Sequence, residues 1–299
     1  DLLWMNPDRP AIRKQWKSGF DMMRYCPSFY DSEKQQYKWH RYIEGVVKQG
    51  ETHPIEQYHK QILQDRPALV DVAIRHFVLK NCFGNPSSTH SFGRSAKTYI
   101  ETSRKSVAKI LNCEPGEIIF NSGGTESDNS ILKCAVKDLG VKHIISSKIE
   151  HHAVTHTLDE LEEQGVTIHY VKLKDNGQVD IENLEELLEM ITEPKLVTLM
   201  YINNEIGNIL DVYSVSNLCQ KHNSFFHSDA VQAVGHYHID LKSLKIDFLS
   251  SAGHKFHGPK GVGFTYINKS TKIKSFICGG PQERGLRAGT ESVHNIVGM

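Results

Sequence analysis

The amino-acid sequence predicts an α/β fold of three layers, with helices on both faces of a mostly parallel sheet. Three observations predict it. From about Glu117 onward, apolar runs of strand length alternate with amphipathic stretches of helix length, the pattern of successive βα units. The polar residues with chemistry to offer fall just after the strands, where open α/β sheets bind ligands. With 299 residues, 39% of them apolar, the chain can bury a large core without disulfides or metal to hold it.

Composition excludes several function classes. Thirty-five basic and thirty-five acidic residues cancel, so no global field favours nucleic acid or an anionic membrane, and any anion site must be local. The six cysteines (Cys26, Cys82, Cys113, Cys134, Cys219, Cys278) are scattered without a Cys-x-x-Cys pair, which suits reduced buried thiols and a cytoplasmic compartment. The seventeen histidines show no metal-site spacing, so no metal is expected. No apolar run reaches the ~18 residues of a membrane span, and the first residues lack the layout of a signal peptide.

Residues 1–66 differ in texture from the rest. They hold all three tryptophans (Trp4, Trp16, Trp39) and little sustained periodicity, and predict a helical arm with short helices around Ala11 to Met23 and Glu33 to Gln49. A partner-docking module is the alternative, supported by aromatic content alone. Apolar residues at helical spacing from Leu69 to Val78 then predict a helix that ends at Asn81 and Gly84-Asn85-Pro86. A second helix is predicted from about Gly93 to Leu111.

The βα units follow. A strand at Glu117 to Phe120 leads into Ser122-Gly123-Gly124-Thr125 and a helix through Lys137. Glycines that let the backbone approach an anion, followed by free N–H groups at a helix start, make a phosphate cradle; the same residues could simply cap the helix. The next strand, Lys142 to Ser146, delivers His151, able to stack on a flat ligand, shuttle protons or hydrogen-bond the helix start. After a strand at Thr167 to Val171 and a helix at Ile181 to Met190, the strand Leu196 to Tyr201 delivers Asn203 and Asn204, which are either ligand donors or turn formers. A helix near Val215 to His222 precedes the strand Ser224 to His227 and then Asp229, a carboxylate suited to a protonated heteroaromatic nitrogen or to capping a following helix. Finally Ile246 to Leu249 reads as a strand end, after which Ser250 to Gly253 form a small-residue loop presenting His254 and Lys255. A lysine among small residues can lose solvation and act as a Schiff-base amine.

From about Pro67 to Met299 the chain resembles the cysteine desulfurases, the class-V aminotransferase-like group of fold-type-I enzymes that depend on pyridoxal 5'-phosphate (PLP). Seven motifs in family order carry the resemblance: FGNPSSTHSFG (83–93), SGGTESDN (122–129), EHHAV (150–154), NNEIG (203–207), HSDAVQAVG (227–235), SAGHKFHGPKGVG (251–263) and ERGLRAGTES (283–292). The resemblance implies a PLP-binding large domain over residues 67–299. It implies that Lys255 binds the cofactor covalently and moves protons, that His151 stacks on the ring, and that Asp229 keeps the ring nitrogen protonated. Asn204 and Gln232 would hydrogen-bond the ring oxygen, and Gly124, Thr125, Ser251 and His254 would hold the phosphate. Thr290 would complete that cradle from the second subunit of a homodimer.

The implied reaction takes L-cysteine to L-alanine and passes the sulfur, as a persulfide, towards iron–sulfur clusters or thiolated tRNA through a sulfur-acceptor protein. Two departures from the family pattern bear on it. The chain stops at Met299, within the connection to the family's small domain, so the sulfur-accepting cysteine and the arginine for the substrate carboxylate are not assigned, and the expectation is PLP binding without turnover. The family's N-terminal strand is also unmatched at residues 55–66. A selenocysteine lyase and a non-catalytic binding protein on the same fold remain as alternatives.

Overall fold

The computed structural model describes residues 30, 31, 36, 37 and 67–299, with side chains described from Ile74. The arm predicted over residues 1–66 lies outside the described residues except at two points: β1 (Tyr30–Asp31) pairs antiparallel with β2 (Gln36–Tyr37). The second pair falls inside the helix predicted from Glu33 to Gln49 and corrects it there; tyrosine favours extended backbone, and the stretch lacks a sustained helical period. α1 (Pro67–Asn81) follows and belongs with these strands to a first compact unit that ends at Asn81, whereas the residues from Cys82 to Val297 form a second.

The second unit begins with α2 (Ser91–Ile110), capped by His90, whose Nδ1 accepts from Gly93 N–H at 3.2 Å. Its sheet strands are β3 (Ile118–Asn121), β4 (His143–Ser146), β5 (Thr167–Tyr170), β6 (Lys195–Thr198), β7 (Phe225–Asp229), β8 (Phe248–Ala252) and β9 (Gly263–Ile267). Between them run α3 (Gly124–Leu139), α4 (His152–Glu163), α5 (Ile181–Met190) and α6 (Val212–Lys221), with the short α7 (Val293–Gly298) at the end. The strand order is β3-β9-β8-β7-β6-β4-β5, and only β9 runs against the others. The predicted mostly parallel sheet is present.

Burial identifies the layers. Ile144 and Leu196 join Leu132, Val154, Leu158 and Leu161 in one apolar cluster beneath α3 and α4. Ile145 and Val197, the next residue on each strand, point the other way and are equally inaccessible. A sheet dry on both faces must be covered on both faces, which explains why its central strands read as continuous apolar runs instead of alternating ones.

Three strand-end expectations are corrected. β8 does not release at Leu249: Ser250, Ser251 and Ala252 continue the strand, paired with β9 and, at Ser250, with Asp229 of β7. Close packing requires glycine at 263 of the neighbouring strand, since a Cβ there would lie 2.3 Å from Ser251 O and 2.7 Å from Gly123 Cα. The strand predicted to reach Tyr201 ends at Thr198, although Tyr201 N–H still donates to Asp229 O at 2.8 Å. No helix follows Asp229; residues 231–236 form consecutive turns instead. β9 was not foreseen.

Candidate active site

β3, β4, β6, β7 and β8 point the same way, so the segments after them and the start of α3 gather at one edge of the sheet. Asp229 ends β7 at 5% exposure, and its Oδ1 accepts from Val231 N–H at 2.9 Å. Burial raises its pKa; the Val231 N–H and the nearby His151 and Lys255 pull it back. The structure therefore brings together, around one carboxylate, the three residues with the most specific expected roles.

Lys255 lies on the 3₁₀ turn Gly253–Phe256 with its side chain exposed. Its carbonyl accepts from His236 Nε2–H at 2.8 Å. Gly235 makes that approach possible: its φ of +82° suits glycine, and a Cβ there would lie 2.5 Å from Phe256 Cβ. His254, beside it, has its pKa lowered by burial and by the Lys255 and Lys260 charges. His151 is exposed, and its Nδ1 accepts from Ala153 N–H at 3.1 Å, so the helix-start role is realised while the ring face stays open.

The cradle forms where β3 turns into α3. Gly123, with φ of +137°, turns the chain, and Asn121 Oδ1 receives its N–H at 2.9 Å. The first-turn N–H groups of α3, from Gly124 and exposed Thr125, have no acceptor within the helix. A Cβ on Gly124 would lie 2.6 Å from Val231 Cγ2, so glycine is what lets the cradle sit against the turn carrying half-buried Gln232. Beneath it Ser251 Oγ is fully buried and has no hydrogen-bond partner.

Other expected residues fall differently. Asn204 is exposed and its Nδ2 donates to Glu205 Oε1 at 2.6 Å, while Asn203 is buried in a turn, where its Oδ1 accepts from Glu205 and Ile206 N–H. Thr290 is exposed on a loop tied to the cradle helix through Arg287, which grips Glu126 with two hydrogen bonds of 2.8 and 3.1 Å.

Sequence reasoning passed over four buried groups. Glu150 accepts from the Ser147 hydroxyl at 2.6 Å and leaves Oε2 unpartnered; burial pushes its pKa up to about 8 against that hydrogen bond, with Asp229 repelling it further. Asp128 and His227 lie behind Asp229. Glu283 pairs with Arg104 inside the protein. Glu150, Asp128, His227 and Glu283 all stand within the quoted motifs, next to residues that were assigned, but in polar surroundings where nothing local marks them as buried.

Orphan backbone N–H groups, a buried hydroxyl with no partner and a buried carboxylate near a lysine and a histidine fit a phosphate ester attached to a protonatable ring. A mostly parallel α/β domain with those groups at its strand ends has the make-up of the fold-type-I PLP enzymes. The chain belongs to the class-V aminotransferases, whose family model matches residues 65–299. It is 46% identical over 234 residues to a putative cysteine desulfurase IscS 1 of Bacillus subtilis, covering 77% of this chain and 60% of that protein. A solved NifS-like protein superposes with a TM-score of 0.72 at 41% identity, over 78% of this chain and 64% of its own. A structure titled SspA in complex with cysteine does so with 0.72 at 34%, over 76% and 66%. The chain thus spans about 60% of the length of the curated relative it matches. Among the described residues no helix is long and apolar enough to cross a membrane.

Proposed function

We propose that this chain forms the cofactor-binding part of a PLP-dependent cysteine desulfurase. The observation that carries the reading is the buried Asp229 flanked by His151 and Lys255 at the strand ends of a class-V aminotransferase domain. Bound PLP would supply an electron sink for the pair left on the substrate's Cα. In this reading Lys255 holds the cofactor covalently and carries protons at Cα. Asp229 holds a proton on the ring nitrogen, and His151 covers one ring face. The N–H groups of Gly124 and Thr125, with the Ser251 hydroxyl and His254, hold the phosphate. Gln232 bonds the ring oxygen, and Asn204 joins it once its amide leaves Glu205.

The net reaction moves sulfur from L-cysteine to an acceptor thiol, giving L-alanine and a persulfide; the carbon–sulfur bond breaks and a sulfur–sulfur bond forms, with no external oxidant. The reading includes a cytoplasmic homodimer in which Thr290 of a second copy completes the cradle, and a sulfur-acceptor protein that takes the persulfide. Residues 67–299 act as its large domain, with 1–66 an extension.

The test loads the purified chain with PLP and follows its visible band. A band that borohydride bleaches, fixing the cofactor to the protein, and that Lys255→Ala lacks is the expected result. Addition of L-cysteine then changes the band, and alanine is sought as product. A colourless protein under saturating PLP would remove the proposal.

A further inference from the structure

Behind the candidate site lies a polar chain that the proposed roles do not use. Thr198 of β6 pairs in register with His227 of β7, and Ser250 of the next parallel strand, β8, lies two residues beyond the register partner of His227 on the same face; all three are fully buried. Thr198 Oγ1 is 2.8 Å from His227 Nδ1, and His227 Nε2 is 3.0 Å from Ser250 Oγ. Ser250 in turn hydrogen-bonds Asp128, in the second turn of α3 and 1% exposed. The protons can run along this chain in either sense, and the sense that also places a proton on Asp128 has the Asp128 hydroxyl donating to Ser250, the Ser250 hydroxyl donating to Nε2, and Nδ1–H donating to Thr198 Oγ1. His227 is then neutral, as its burial also requires, holding its pKa down at about 3. The 3.5 Å between Nε2 and Asp128 Oδ1 is accordingly a contact and not an ion pair, and Oδ1 makes no hydrogen bond.

Asp128 therefore has no cation to pair with. It is repelled by Asp229 and by Glu150, and burial raises its pKa well above the carboxylate range. Neighbouring buried acids cannot all ionise. The Lys255 ammonium favours the charge on Asp229, so the proton stays on Asp128.

We propose that Asp128 is a positioning residue for the cofactor site: as a neutral acid it ties the cradle helix, which begins at Gly124, to the strands bearing Asp229 and Lys255, and it leaves Asp229 as the charge that faces the ring. This rests on the cofactor reading above.

The test compares three variants with the parent by PLP affinity, read from the visible band across pH, alongside the unfolding midpoint of each unloaded protein. Asp128→Asn, neutral and still hydrogen-bonding, is expected to bind within about threefold of the parent with an unshifted pH dependence. Asp128→Leu, with the same branching but bulkier and without the hydrogen bond, is expected to bind at least about tenfold more weakly. If Asn binds as poorly as Leu, Asp128 acts as an anion and the proposal is overturned; if Leu binds as tightly as the parent, Asp128 only fills space and it is overturned equally. Should Leu not fold, infrared spectroscopy decides: the carbonyl stretch of a protonated carboxyl in the PLP-loaded parent, lost in Asn, supports the proposal, and its absence from the parent overturns it. Asp229→Asn separates the two readings, because undiminished PLP binding by that variant would defeat the cofactor assignment itself.

Discussion

At the scale of single residues, the site is a place where acids are kept from water. Glu150 is the case with a clear sign. Its pKa rises from an ordinary 4.5 to about 8 in the folded chain, so the native state holds a proton that the unfolded state has lost. The stabilisation is complete below the unfolded value and disappears as pH climbs through about 8, with each tenfold difference in proton affinity between the two states contributing about 1.4 kcal/mol. Stability should therefore fall between about pH 5 and about pH 8, and Glu150→Gln, neutral throughout, should flatten that fall. Asp229 and Asp128 face Glu150 and are raised in the same sense, so part of the slope persists, while His151 and Lys255 oppose it through Asp229. Denaturant midpoints across that range check this; parallel curves for parent and variant would refute it. Lys255, Asp229 and Gly124 were legible in the sequence because their neighbours are small and their chemistry follows a strand. Glu150 and Asp128 were not, because what marks them is the absence of a partner, and partners come from distant strands.

At the scale of elements, the loop after β9 is held by a pair that no local pattern announces. Arg104 of α2, 2% exposed, meets both oxygens of Glu283 at 2.7 and 2.8 Å, and Glu283 Oε2 also accepts from Phe120 N–H of β3 at 2.8 Å. Glu283 and Arg284 take φ of +45° and +58°, a left-handed backbone that non-glycine residues adopt only where surroundings impose it. Glu283→Gln removes the buried counter-charge and leaves the guanidinium only Glu101, part-exposed and 3.2 Å from Nε, which costs up to about 3–5 kcal/mol. Urea unfolding would measure it, and faster hydrogen exchange over residues 283–290 should accompany it. A loss below about 1 kcal/mol would mean that the loop does not depend on the pair. The same long-range dependence explains the strand that sequence reasoning lacked. β4, β6 and β7 announce themselves by apolar runs between helices. β9 follows β8 after the connection that carries Lys255 and owes its place to pairing with β3, more than a hundred residues earlier.

At the scale of the whole molecule, the fold class was legible because alternating apolar runs constrain a sheet whatever its strand order. The change of texture at residue 66 falls where the family match begins, at residue 65, while by packing α1 groups with the first unit and the second begins at Cys82. Independent units should unfold independently, and this chain carries a natural pair of probes for it. Trp4, Trp16 and Trp39 all fall in the first unit, so tryptophan fluorescence reports that unit, while far-ultraviolet circular dichroism is dominated by the sheet and helices of the second. PLP binds only folded second unit in the proposed reading. At a hundredfold excess over its dissociation constant it contributes about 2.7 kcal/mol, which for a domain of this size raises the melting midpoint by roughly 5–10 °C. The dichroism transition should therefore move by that amount on adding PLP while the fluorescence transition stays in place. A shift of both together would mean that the two units melt as one, and a shift of neither would mean that the strand-end site does not take the cofactor.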